Sequence, residues 1–365
     1  MNPQISNLRQ QYLIWILVPS IPNMDSEIGY YYDFDQSHGE YSRCFEEIGF
    51  EWRWKYITQG SYLDQLKFIK SESLPKEPLV INLCDGDEVN GAPGIEVIKE
   101  LKNLDLIFTG AEEYFYEITT SKIPMKKIFD KLGIKTPKWD VVSTSGDNLS
   151  DIFKKLTSPL ILKPAVSGGS MGLGIKNVVS NEEEAKLVLE QLQSGYKGWK
   201  LDIDGFILEE FIPGKEFTTL LTGSYHNPDF IKTYTPVERV FNQKIPVTER
   251  ILSYDRLWET YEEEDELEHG EFLFNYFPCD PNLSEKINQL SLEVFHSLKG
   301  TGYTRIDIRQ HEKNGQFYVL EANAQCGLSE DENYTSIGAI LRISGISFSE
   351  LITEIILDAL RKKIS

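Results

Sequence analysis

The sequence predicts a mixed α/β and α+β protein in three units: an N-terminal α/β unit over residues 1–117, a central unit over 118–200 and a C-terminal unit over 201–365. Three observations carry that prediction. Apolar strand-like runs alternate with helical segments in the first unit, which argues for a small parallel sheet. A buried strand in the second, Leu160–Pro164, delivers Lys163 and then a glycine-rich turn, Ser167–Gly174. A hairpin in the third, Gly302–Asn323, places charged side chains on one face and isoleucines on the other.

In chain order, the apolar run Tyr12–Val18 reads as the first buried strand; it is too short to span a membrane and lacks a small-residue cleavage pattern. A helical segment at Glu40–Ile48 precedes a second core strand, Leu79–Leu83, and a helix at Gly94–Leu104 leads to the short strand Leu106–Phe108. Pro124 marks the start of a helix that opens the central unit, and Gly133 stops it. Strand Trp139–Val142, helix Leu149–Lys155, the lysine–glycine element and helix Asn181–Gln193 complete that unit. The last unit opens strand-rich, with Phe206–Phe211, a turn at Pro213 and Gly214, and Glu216–Leu221. The run Tyr261–His269 carries too much like charge to pack and reads as an exposed or mobile loop. Helix Leu283–Leu298, the hairpin, and apolar-periodic helices near Ile337–Ile343 and Phe348–Leu360 follow.

Composition narrows the partners. With 57 acidic against 37 basic residues the formal net charge is -20, which repels nucleic acid and anionic membrane surfaces. Small molecules are the expected partners, and an anionic one must be held by locally placed lysine, arginine, N–H groups or metal. Cys44, Cys84, Cys279 and Cys326 are too scattered for a zinc knuckle or redox pair, so four free thiols and a cytoplasmic location are expected.

The hairpin carries the chemistry. Arg305, Asp307 and Arg309 share one strand face, and Glu321 and Asn323 repeat the pattern on the partner strand. Ile306 and Ile308 are expected to pack on Tyr318, Leu320 and Ala322, with Asn314 and Gly315 in the turn. Oxygen ligands without histidine or thiolate suit Mg²⁺ or Mn²⁺, which shares its other positions with phosphates and water, so the implied ligand is a nucleotide. A merely solvated outer face is the competing reading of either strand alone. The upstream turn strengthens the first, because glycines let backbone N–H groups approach phosphate oxygens. It is neither a Walker motif nor a dinucleotide fingerprint, since no Gly-Lys-Ser/Thr follows and no helix opens directly after it.

Lys163 and Pro164 with their turn, the segment Glu209–Thr218, and Arg305 and Asp307 with Glu321 and Asn323 occur in an order that resembles the ATP-grasp ligases, most closely the D-alanine:D-alanine ligase family, from about Val80 to the C-terminus. The resemblance implies an ATP-grasp fold with a Rossmann-like N-terminal domain, and C–N bond formation through an acyl phosphate with release of ADP and phosphate. It implies that Lys122, Lys163, Gly168, Gly169, Ser170 and Met171 hold the phosphates of ATP, that Glu209, Glu210 and Ile212 border the adenine, and that Glu216 takes the ribose. Asp307, Glu321 and Asn323 would hold two Mg²⁺ or Mn²⁺ ions, and Arg305, with Lys163, Gly169 and Ser170, would serve the transferred phosphoryl group. A solvated strand end competes as the reading of Glu209 and Glu210. A homodimer is implied as well.

Substrate positions depart from the family. Asp85, Asp87 and Glu88 stand where a His-Gly pair is usual, Gly169 where a serine touches substrate, Leu257 near a closing-loop lysine, and Cys326 in place of a proline. Three extra residues follow Gly327, and an acidic, tyrosine-rich stretch with Asp25, Glu27, Tyr30, Tyr31, Tyr32, Asp33 and Asp35 replaces a serine-rich loop. These changes predict an ATP-dependent ligase joining two amino acids, or an amino acid and a related small amine, with an altered product. Asp85, Asp87 or Glu88 takes an ammonium or else simply shapes a polar turn, and Gly327, Ser329 or Ser336 takes a carboxylate, Ser336 lying near a helix N-terminus. The alternatives are a cell-wall D-alanine:D-alanine ligase, a nucleotide-binding pseudoenzyme, and a ligase of protein termini that docks a basic partner on the acidic loop. His38 reads as an exposed loop histidine.

Overall fold

A computed structural model of the chain describes residues 3–22, 32–196, 198–261, 264–267, 271–333 and 335–364. Asp25, Glu27, Tyr30 and Tyr31 lie outside the described residues, as do parts of the acidic run. The first unit comprises α1 (Pro3–Gln11), β1 (Tyr12–Pro19), α2 (Asp35–Ile48), β2 (Trp52–Ile57), α3 (Tyr62–Glu72), β3 (Glu77–Asn82), α4 (Ile95–Asn103) and β4 (Ile107–Phe108). Its strands form a parallel sheet in the order β2-β1-β3-β4. Helices cover both faces of such a sheet, which is why β1 is continuously apolar and buried from Leu13 to Pro19.

The middle of the chain supplies α5 (Glu113–Thr120), α6 (Lys122–Leu132), β5 (Trp139–Val142), α7 (Leu149–Lys155), β6 (Leu160–Pro164), β7 (Val178–Val179), α8 (Glu182–Gln193) and β8 (Phe206–Glu210). Gly133, at φ 75°, closes α6 in the left-handed region, and the Asn181 side chain caps α8 by accepting from Glu184 N. The strands form an antiparallel sheet, β5-β8-β6-β7, so β8 joins this sheet although it lies beyond residue 200.

The third group is β9 (Gly214–Ser224), β10 (Lys232–Thr233), β11 (Val237–Phe241), α9 (Tyr254–Trp258), β12 (Phe274–Pro278), α10 (Pro281–Ser297), β13 (Thr301–His311), β14 (Phe317–Ala324), α11 (Ser336–Ser344) and α12 (Phe348–Ile364). Its sheet runs β12-β11-β9-β13-β14, with β10 also on β9. Phe217, Leu221, Ile306, Ile308, Val319 and Ala322 cover its buried face and pack on Met125 and Phe129 of α6 and on Ile287, Val294 and Phe295 of α10. Ile14, Ile16 and Ile81 of the parallel sheet share another core with Ile337, Ile340, Leu351 and Ile355 of α11 and α12.

Asp307 pairs with Glu321 and Arg305 with Asn323, as alternation requires. The expected apolar side needs correction. A bulge between Asp307 and Ile308 shifts the register so that Ile308 faces Val319, leaving Leu320 as the extra residue. Val319 is buried in place of Tyr318 and Leu320. All four cysteines are free and buried. Among the described residues no helix is long and apolar enough to cross a membrane.

Candidate active site

The central sheet and the large antiparallel sheet face one another across a cavity of about 380 Å³, closed at one end by the loops that follow β3. Lys122, Lys163, Gly168, Gly169, Ser170, Met171, Glu209, Glu210, Ile212, Glu216, Arg305, Asp307, Glu321 and Asn323 all line it. They come from α6, β6, β8, β9, β13, β14 and the connecting turns, and only the folded sheets bring them together.

On the hairpin, Asp307 Oδ1 accepts from Thr218 Oγ1 at 2.8 Å, while its Oδ2 lies 3.0 Å from Arg305 Nε and 3.3 Å from Asn323 Nδ2. Asn323 Nδ2 also donates to Glu321 Oε1 at 3.3 Å, and Glu321 Oε2 is 3.6 Å from Lys122 Nζ. Burial works against ionising Glu321, but Lys122, Lys163 and Arg305 outweigh it and hold the carboxyl below its usual range. Two carboxylates and an amide oxygen are hard donors that fit Mg²⁺ or Mn²⁺. Among the described residues no three His, Cys, Asp or Glu side chains converge, so phosphate and water oxygens must complete such a set. Asn323 presents its N–H side to the carboxylates here, and ligation requires the amide to turn its oxygen inward.

Between α6, β6 and β8 runs a buried ionic row. Glu209 lies 2.6 Å from Lys163 Nζ and 2.7 Å from Lys126 Nζ, and Lys126 also donates to Thr136 Oγ1 at 2.6 Å. Burial would raise the Glu209 carboxyl, yet the two lysines bring it down to about 2. Lys126 is shifted the unfavourable way for an ammonium, because burial and the neighbouring Lys163 outweigh its one carboxylate partner. Glu209 therefore faces two lysines, and the solvated strand end is excluded for it. Glu210 instead accepts from Thr157 N at 2.9 Å.

At the start of β9, Glu216 is gripped by Arg239 and by Arg309, whose Nη2 is 2.7 Å away. Burial opposes its ionisation, and the two guanidiniums win, lowering its pKa. Arg309 Nη1 also donates to Ile212 O at 3.0 Å, and the Arg239 guanidinium lies over the rings of Phe274 and Tyr276.

The turn after β6 takes left-handed backbone at Gly169, Ser170 and Gly172, with φ of 54°, 63° and 73°. The left-handed φ favours glycine at 172, where a Cβ would also stand 2.6 Å from Leu201 Cδ1. Trp258 of α9 donates its Nε1–H to Gly169 O at 2.9 Å and covers the turn. Glu264 corrects the exposed-loop reading of the acidic run at its own position: it is buried, accepts from Ser253 Oγ at 2.7 Å and Ile175 N at 2.8 Å, and pairs with Arg256 at 3.1 Å.

The substrate-side residues divide. Asp85, Asp87, Gly327 and Ser336 line the cavity; Glu88 and Ser329 do not. Asp87 caps the following turn by accepting from Asn90 N at 2.7 Å, and Glu88 accepts from Glu96 N at the start of α4. Ser329 donates to Glu40 Oε1 at 2.6 Å, and Arg43 and Gln36 of α2 reach Glu330 and Asp331, so residues 329–331 dock on α2. Ser336, in the first turn of α11, has a buried hydroxyl without a hydrogen-bond partner. His38 is exposed as expected but sits in α2, against Trp52 and Trp54. Burial pushes the Cys326 thiol up to about 12, leaving it a neutral part of the wall.

A family model described as "D-ala D-ala ligase C-terminus" matches residues 128–357, more than half of the 365. The chain belongs to the D-alanine–D-alanine ligase family. Among this family's curated members, the D-alanine–D-alanine ligase of Aquifex aeolicus is 27% identical over 256 residues, covering 70% of this chain and 75% of that protein. The enzyme of the same name from Nitrosococcus oceani is 28% identical over 267 residues, 72% of each. Two solved structures share the fold. The D-alanine–D-alanine ligase of Bacillus anthracis complexed with ATP has a TM-score of 0.66 at 19% identity, covering 96% of this chain and 98% of that one. The VanG D-Ala:D-Ser ligase of Enterococcus faecalis has a TM-score of 0.67 at 16% identity, covering 96% of this chain and all of that one. The protein is thus an ATP-grasp ligase, of a superfamily that works with ATP and divalent cations.

Sequence reasoning missed Lys126 and Arg239 and gave no role to Arg309. Arg309 carried a signal, its shared face with Arg305 and Asp307. Lys126 and Arg239 carried none, because their partners are brought up by other strands.

Proposed function

We propose that the chain joins two D-amino acids, with D-alanine the first candidate, at the expense of ATP. The observation that carries this reading is the convergence of Lys122, Lys163, Arg305, Asp307, Glu321 and Asn323 on one cavity, in a chain whose curated relatives are D-alanine–D-alanine ligases. The carboxylate of one amino acid attacks the γ-phosphorus, the bond to the β-phosphate oxygen breaks, and ADP leaves. The amine of the second attacks the acyl carbon, phosphate departs, and the amine gives up a proton.

Lys122 and Lys163 neutralise the polyphosphate, and Arg305 steadies the charge on the transferred phosphoryl group. Glu216 receives the ribose hydroxyls and the Ile212 segment borders the adenine. Asp307, Glu321 and Asn323 would hold two Mg²⁺ or Mn²⁺ ions, which supply charge neutralisation at the terminal phosphates. The turn at 168–172 with Trp258 above it keeps water from the acyl phosphate. Ser336 and the first N–H groups of α11 receive a substrate carboxylate, which gives the buried hydroxyl its missing partner.

A second reading, a bulkier or more cationic amino acid at one subsite, is favoured by the Asp85 carboxylate, by the bare Gly169, and by Tyr32, Phe34 and Trp199 lining the same cavity, the Tyr32 and Trp199 rings 6.0 Å apart. ADP release across a panel of D- and L-amino acids, singly and in pairs, separates the two. Turnover with D-alanine alone as donor and acceptor supports the first, and turnover that requires another partner supports the second. Silence throughout, with nucleotide still bound, indicates a binding module or a ligase of protein termini.

A further inference from the structure

Gln325 follows β14 directly, two residues beyond Asn323, and is 2% exposed. Its φ of 56° puts it in left-handed backbone, which a residue other than glycine keeps only where its surroundings fix it. Both ends of its amide are used: Oε1 accepts from Ala111 N at 3.3 Å, and Nε2 donates to Cys84 O at 2.7 Å. Cys84 leaves the end of β3 and Ala111 the end of β4, so one side chain from the metal-bearing strand holds two loops at the carboxyl edge of the parallel sheet. A Cβ on Gly110 would stand 2.6 Å from Gln325 Oε1, which shows how closely that loop is fitted around the amide. Next to Cys84 comes Asp85, which lines the cavity together with Gln325, Cys326 and Gly327.

We propose that Gln325 is a positioning residue that sets the substrate-side loop at Asp85 in register with the phosphoryl-transfer end of the cavity. The inference rests on the ligase reading above. Since the amide grips backbone rather than nucleotide, it acts on the amino-acid subsite, and its loss moves Asp85 relative to Asn323 without touching the groups that face ATP.

Two variants test it. Gln325→Met keeps the length of the side chain and removes both bonds; Gln325→Asn keeps an amide in a backbone conformation that asparagine tolerates but stops one methylene short. ADP release is measured against D-alanine, or against whichever amino acid of the panel the unaltered protein uses, at saturating MgATP, and MgADP affinity is measured by titration. The proposal expects the amino-acid KM of Gln325→Met to rise about tenfold, the combined size of two modest hydrogen bonds, with a smaller rise in Gln325→Asn. It expects kcat and MgADP affinity to stay nearly unchanged. A purely structural role lowers kcat through loss of active protein and leaves KM alone, and that result overturns the proposal, as does an equal loss of nucleotide affinity. An active parent with unaltered KM in both variants refutes the proposal only. A parent silent toward every amino acid refutes the amino-acid-joining reading, and the positioning role falls with it.

Discussion

Asp307 and Glu321 face each other across the hairpin with an amide and two cationic side chains around them, and they give the sharpest residue-scale test. Asp307→Asn and Glu321→Gln each keep the shape and remove a charge; turnover should fall by about 10²–10³-fold, while circular dichroism and the unfolding midpoint hold. Unchanged turnover in both would refute the metal assignment. Lys126→Met leaves Glu209 with Lys163 as its one lysine in a buried place and should cost about 1–3 kcal/mol in denaturant unfolding, the size of a lost charge-assisted hydrogen bond. Glu209 also predicts a pH dependence. Its folded pKa of about 2 lies below its ordinary 4.5, so its contribution to stability is complete above 4.5 and is lost as pH falls toward 2. The melting temperature should drop through that window, and Glu209→Gln should flatten the drop. At this scale the sequence was legible where alternation puts polar side chains on one face of a hairpin, as for Arg305, Asp307, Glu321 and Asn323. It was not legible for Glu88 and Ser329, whose side chains turn to Glu96 and Glu40, partners that only the fold supplies.

Among the elements, the lysine–glycine turn and α9 act together. Trp258→Phe keeps the ring and removes the Nε1–H bond to Gly169 O, so segments 168–172 and 254–260 should become easier to cleave by protease, and an ATP analogue should restore less protection than in the parent. Equal cleavage of parent and variant would show that the bond does not hold the cover. Gly338 offers a second test, because a Cβ there would stand 2.5 Å from the backbone of Asp331 and Glu332, in the loop that docks on α2. Gly338→Ala should destabilise the protein by about 1–3 kcal/mol in denaturant unfolding. Apolar runs such as Tyr12–Val18 and the capped helix 181–193 were readable because local pattern and environment agree. Strand β2 was not, since Trp52–Ile57 mixes aromatic and charged residues on a sheet edge that buries only Ile57 fully. The bulge at Asp307 and Ile308 was likewise invisible, because it depends on how β13 meets β14 and not on either strand alone.

Over the whole molecule, a chain of net charge -20 gathers Lys122, Lys163, Arg239, Arg305 and Arg309 on the walls of one cavity. Each already faces a carboxylate, Lys122 with Glu321, Lys163 with Glu209, Arg305 with Asp307, and Arg239 and Arg309 with Glu216, so an anionic ligand there would need added cations to offset those carboxylates. The shared core of the parallel sheet with α11 and α12 ties the loops after β3 to the large antiparallel sheet, so that Asp85 and Asp87 line the same cavity as Asp307 and Glu321. The order of three motifs foretold this architecture, whereas the identity of the amino acids stays with loops whose shape depends on packing between the units. The most direct test is the release of ADP and phosphate by the purified protein with MgATP, in the presence and absence of D-alanine and the wider amino-acid panel. Release that requires both Mg²⁺ and an amino acid, with one dipeptide formed per ADP, is the predicted result; failure to bind MgATP, or hydrolysis indifferent to every amino acid, would contradict it.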